Sequence, residues 1–167
     1  DAWLAKATPE GLEEDLPRDG LTSHLPLTEG KGNVLAARLP AGANAKVTGN
    51  LTWAAGGKFG AAPVLKNESP IDLGDLGDFA RDKPFTLALW LRSPKDGLNG
   101  SIIARMDDKA AHRGWDLLQE NRNLAFHLID KWPDNALKVS TTKPALTPGK
   151  WQHVTVTYNG SGKPGGL

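Results

Sequence analysis

From Gly20 onward the chain alternates apolar and polar positions with a period of two. Leu21, Ser23, Leu25 and Leu27 alternate against Thr22, His24 and Pro26, the spacing of a half-buried strand. The sharpest segment is 85–92, FTLALWLR. Its Phe85, Leu87, Leu89 and Leu91 share one face and Thr86, Ala88, Trp90 and Arg92 the other. Apolar residues on both faces predict a strand well inside a sheet. Further strands are predicted over 45–48, 61–66, 71–73, 101–105, 114–119, 124–129, 137–141 and 151–158. Each is bounded by the Gly, Pro, Asn or Asp that turns require. The opening differs: Trp3, Leu4, Ala7, Leu12 and Leu16 fall at roughly helical spacing. Thr8-Pro9 resembles an N-cap with its first helical residue, and Pro17 stops the run. The pattern predicts a helical tail or linker over 1–19, then an all-β, antiparallel domain over 20–167.

Composition narrows the function classes. Apolar residues make up 39% and charged residues 23% of the 167, which describes a globular chain rather than a disordered one. Twenty basic residues stand against nineteen acidic ones, a formal charge of +1. With no basic stripe, nothing points to nucleic acid or an anionic membrane. No apolar run approaches the roughly 20 residues that a spanning helix needs. The absence of cysteine excludes disulfides, thiolate metal sites, a cysteine nucleophile and a haem attachment within these residues.

Four motifs, taken in order, resemble one family. GLTSHLPLTEGKGN looks like an opening jelly-roll strand running into a Gly-rich turn. GGKFGAAPVLKNESPIDLG gives a Gly-Lys-Phe-Gly turn, a small-residue strand and a polar loop. KPFTLALWLRS carries Phe85, Thr86 and Trp90. GKWQHVTVTYNGSG carries Trp151, His153, Val154, Thr157 and Tyr158. The chain is similar to laminin-G-like modules of the concanavalin A-like lectin-glucanase jelly rolls. It also resembles the module inside planctomycete-type multidomain c-type cytochrome proteins. The resemblance implies an antiparallel β-sandwich, a periplasmic or extracellular setting, and core positions for Trp90 and Trp151; Trp115, alternating with Leu117, is expected in the core as well. It also implies strands beyond Tyr158, so the sandwich is expected to be incomplete at its C-terminal end. A downstream segment of the same precursor is then the expected partner.

Catalysis has little support in the sequence. Glycosidases of such folds need two carboxylates flanking the sugar, and the nearest pattern, Glu13-x-Asp15, lies in the helical opening. No Gly-x-Ser-x-Gly elbow, His-Glu-x-x-His or phosphate loop is present. Adjacent Asp107 and Asp108, in a loop ending at His112, offer carboxylate oxygens to calcium, and pentraxins place an acidic-amide pair in a comparable loop. They also suit an ordinary solvated turn. Asn67 and Glu68 present the same idea more weakly. His127 and His153 alternate against apolar neighbours, so they are either metal or ligand contacts, should they share a face, or hydrogen-bonded structural residues. Trp132, in Lys131-Trp132-Pro133-Asp134-Asn135, is a stacking residue for sugar or protein, or a loop anchor.

These readings converge on a non-catalytic binding or interaction module of a larger exported protein, recognising carbohydrate or protein through rim loops. The alternative is a purely structural domain of a redox or hydrolytic assembly whose chemistry lies in other domains.

Overall fold

The computed structural model describes Thr8, residues 18–39, 44–66 and 70–167. The predicted helical opening, including Glu13 and Asp15, and the Asn67–Glu68 loop lie outside the described residues. The chain divides into two compact units, Asp1–Leu76 and Gly77–Leu167. Both are antiparallel β, and no α-helix occurs among the described residues.

The first unit contains β1 (Val34–Ala36), β2 (Asn44–Val47), β3 (Thr52–Gly57), β4 (Gly60–Val64) and β5 (Ile71–Asp72). β1, β2 and β5 form one sheet in that order, and β3 with β4 forms a hairpin. The Gly57-Lys58-Phe59-Gly60 turn closes that hairpin, with Gly57 opposite Gly60. Leu35 and Ala45, opposite one another, are the buried apolar pair of the first sheet. The predicted strand over 21–27 reduces to an isolated bridge between His24 and Leu39. Pro26 has no N–H to donate, and Leu27 takes a φ of 55°, which breaks the extended run. β1 and β3 are strands that the sequence pattern did not single out.

The second unit holds β6 (Phe85–Leu91), β7 (Asn99–Asp107), β8 (Arg113–Glu120), β9 (Asn123–Lys131), β10 (Asn135–Ser140) and β11 (Gln152–Tyr158). β7 to β10 form a four-stranded meander, and β11 pairs with β6 in a two-stranded ribbon. The two layers share one apolar core. Trp115, Leu117, Leu124, Phe126 and Leu146 are buried at its centre, with Phe85, Leu87, Leu89, Leu91, Val154 and Val156 packed against them. This is the face-to-face packing of a β-sandwich. Aromatic rings line it: Phe79 stacks on Phe85 at 4.1 Å and on Trp115 at 5.3 Å, and Trp115 stacks on Phe126 at 6.0 Å. Gly77 accepts the indole N–H of Trp115 at 2.8 Å, and a Cβ on Gly77 would meet that ring at 2.7 Å.

The expected core role of Trp90 and Trp151 is corrected here. Trp90 lies on the face of β6 opposite Leu89 and Leu91, is 38% exposed, and packs on His153 at 5.1 Å. Trp151, half-buried, has the Arg92 guanidinium 5.3 Å above its ring. The period of two had already placed Trp90 with Thr86 and Arg92, away from the Phe85–Leu91 row. The core tryptophan of this unit is Trp115, 4% exposed.

Candidate functional site

Because β7 to β10 run as a meander, the β7–β8 and β9–β10 turns fall at one end of the sheet. The Trp132 N–H donates to the Ala111 carbonyl at 2.9 Å, tying the second turn to the first. Two segments singled out separately in the sequence, 106–112 and 131–135, therefore form one rim. Gly114 allows this closure. Its φ is 136°, and a Cβ there would come within 1.9 Å of the Arg105 carbonyl oxygen, so the tight approach of β7 to β8 admits only glycine.

Charges on the rim are opposed in pairs. Arg113 meets Asp130 at 3.8 Å and Lys131 meets Asp134 at 3.0 Å. Asn135 Nδ2 donates to Asp130 Oδ2 at 2.9 Å. Asp107 Oδ1 accepts the Lys109 N–H at 2.9 Å, and Asp108 Oδ1 lies 3.0 Å from His112 Nδ1. One oxygen of each acid is thus engaged inside the turn. Among the described residues no group of three His, Asp or Glu side chains comes together that could hold a metal. By themselves Asp107 and Asp108 do not meet the six to eight oxygens that calcium takes.

Behind Trp132, on the side of the four-stranded sheet away from Trp115 and Phe126, lies a buried polar pair. Asp116 of β8 and His127 of β9 are direct cross-strand partners, with Asp116 Oδ1 2.6 Å from His127 Nδ1. The Ser101 hydroxyl donates to Asp116 Oδ2 at 3.3 Å. This is no nucleophile–base relay, because the serine bonds the carboxylate and not the imidazole. The Trp132 ring, 44% exposed, stands edge-on to His127, with centroids 5.7 Å apart and planes at 71°. Ala125 and Ile129 flank His127 on this face and are buried too, so β9 is covered on both sides.

His153 sits elsewhere. It projects from β11 on the outward face of the two-stranded ribbon, exposed, opposite Trp90. Its Nδ1 lies 3.4 Å from the Thr155 hydroxyl. The two histidines thus belong to different sheets, and the structure brings Trp132 to His127 while leaving His153 with Trp90. Sequence reasoning did not single out Asp116. The signal was present as an acid between Trp115 and Leu117 on a strand otherwise apolar at its centre, where burial requires a hydrogen-bonding partner.

No curated protein and no solved structure matches the chain. Over residues 65–164, more than half its length, it matches the family model of the concanavalin A-like lectin/glucanases superfamily, of laminin-G type, and it belongs to that family.

Proposed function

We propose that the chain is a non-catalytic binding module that recognises carbohydrate or a protein surface through the rim built from the β7–β8 and β9–β10 turns. The observation that carries this reading is Trp132, a large aromatic ring 44% exposed on a loop anchored by its own backbone to the neighbouring turn. Exposed aromatics flanked by polar groups are the side chains on which recognition energy concentrates. The family membership supports the same direction. Screening the protein on a glycan array tests it: selective retention is expected, with loss in Trp132→Ala. Equal retention by that variant would remove the rim from the reading.

A purely structural role in a redox or hydrolytic assembly is the second reading. It is favoured by Asp116, whose two oxygens are both engaged by neighbours inside the unit, as in a polar network that only fixes the fold. An array without any selective ligand would favour it.

The wider context follows the sequence resemblance. We infer an exported parent protein, periplasmic or extracellular. The opening that passes from Ala2-Trp3-Leu4 into Gly20-Leu21 supports a multidomain c-type cytochrome setting. A downstream segment of the same precursor is inferred to pair with the β6–β11 ribbon. This is supported by its two strands facing a layer of four, since each strand adds about 4.8 Å of width.

A further inference from the structure

Asp116 and His127 are each about nine-tenths buried, with side chains 9% and 10% exposed. A carboxylate only accepts hydrogen bonds, so His127 Nδ1 carries the proton shared with Asp116, and in the Nδ1–H tautomer Nε2 presents a lone pair. That Nε2 is buried and has no hydrogen-bond partner among the described residues. Buried polar atoms in folded proteins are almost always paired, and one that is not calls for an explanation. The neighbouring ring is the half-exposed indole of Trp132.

We propose that Trp132, His127 and Asp116 form a subsite for a neutral, hydroxyl-bearing sugar ring. The C–H face of the sugar stacks on the indole, and one hydroxyl donates to His127 Nε2. The inference rests on the binding reading above and adds the polarity of the ligand and the atom that reads it. Nε2 is buried in the unliganded chain, so binding requires a side-chain rearrangement beside it. Asp116 acts as a positioning residue: by holding the proton on Nδ1 it keeps Nε2 an acceptor, so the subsite selects a donor. Charges around the subsite oppose one another, Arg113–Asp130 and Lys131–Asp134 on the rim and Lys138, the cross-strand partner of His127, with Glu120 at 3.6 Å, a setting suited to a neutral ligand rather than an ionic one. The His153 imidazole, by comparison, bonds no carboxylate among the described residues; its Nδ1 has the Thr155 hydroxyl at 3.4 Å, a group that can donate or accept.

The test titrates the 1–167 chain with neutral trisaccharides (cellotriose, laminaritriose, maltotriose, mannotriose) and with trigalacturonate, following indole N–H and imidazole signals by NMR. A neutral sugar is expected to shift the Trp132 indole and the His127 ring together. Trp132→Ala should weaken that sugar about tenfold or more, the scale of a truncated aromatic anchor. Asp116→Asn replaces an acceptor-only group by an amide that can turn either its oxygen or its NH2 to Nδ1, so Nε2 is no longer held as an acceptor; weaker binding is expected while unfolding stays cooperative. Should that variant fail to fold, imidazole nitrogen shifts of the unsubstituted protein decide the point, because they report directly whether Nε2 is unprotonated. A protonated Nε2 overturns the proposal. Shifts confined to Trp90 and His153 overturn it while leaving the binding reading intact, and so does binding of trigalacturonate alone. Silence from every sugar, together with an array that retains nothing, overturns both.

Discussion

The second unit presents a histidine beside a tryptophan on each of its two outer sides, and the two pairs differ in nearly everything else. On β9, His127 is buried, bonded at 2.6 Å to a buried carboxylate and capped by Trp132. On β11, His153 is exposed, rests against Trp90 at 5.1 Å, and has a hydroxyl 3.4 Å from its Nδ1. Residue type alone would rank them equally as ligands. Burial and the carboxylate separate them, because only a desolvated, oriented imidazole offers a fixed nitrogen.

The layer between the two pairs should respond most strongly to substitution. Trp115→Ala removes a ring 4% exposed that stacks on Phe79 and Phe126 and bonds Gly77, and is expected to cost about 3–5 kcal/mol of unfolding free energy. Chemical denaturation measures this. A cost as low as that of Trp90→Ala would mean the core lies elsewhere. Asp116→Ala comes next. It leaves a buried imidazole N–H without its partner, and is expected to cost about 2 kcal/mol, within the range for a buried donor left unsatisfied. The matching change on the other side, His153→Ala, should stay within about 0.5 kcal/mol as an exposed substitution. Equal costs at the two sites would erase the distinction drawn between the pairs.

The tryptophans sharpen it further. Trp90 and Trp132 are 38% and 44% exposed, so truncation of either gives up only part of the roughly 1.5–3 kcal/mol of a fully buried large side chain. About 1 kcal/mol each is expected from the same denaturation series. Amide exchange should follow the burial: β8 and β9, central in their sheet, are expected to protect most strongly, and β6 and β11, each with one strand neighbour among the described residues, to exchange sooner. Slower exchange in the ribbon than in the meander would contradict the layer assignment.

The fold was legible because period-two rows and turn residues are local signals. Phe85–Leu91, Gln152–Tyr158 and the meander strands lie within two residues of their predicted bounds. The segment over 21–27 showed the limit: alternation held, but Pro26 withdrew a donor and Leu27 left the extended region. Trp90 was misassigned for another reason. The resemblance marked it as core, while its own parity placed it with Thr86 and Arg92, and parity was the better guide. The candidate site was legible only in pieces. Trp132, His127, Asp107 and Asp108 each stood out by type, yet their placement depends on strand register, and register set Asp116 against His127. No feature of the sequence announced that pairing, since the two residues lie in different strands and meet only across the ladder.

The smallest expected effect concerns calcium on the rim beside the Trp132 pair. Asp107 and Asp108 each have one oxygen engaged within the turn, so a cation would gain few free ligands from them. A dissociation constant near 1 mM, at the weak end for extracellular calcium sites, is the expectation. One millimolar calcium would then add only about 0.4 kcal/mol of stability by mass action. Calorimetric unfolding with and without calcium measures that difference, and Asp107→Asn with Asp108→Asn should abolish it. A gain near 2 kcal/mol would require a constant of roughly 30 µM, hence further oxygens beside the two acids. It would place the strongest ligand of this rim at the β7–β8 turn rather than at Trp132, and the contrast between the two histidine pairs would no longer decide where the protein binds.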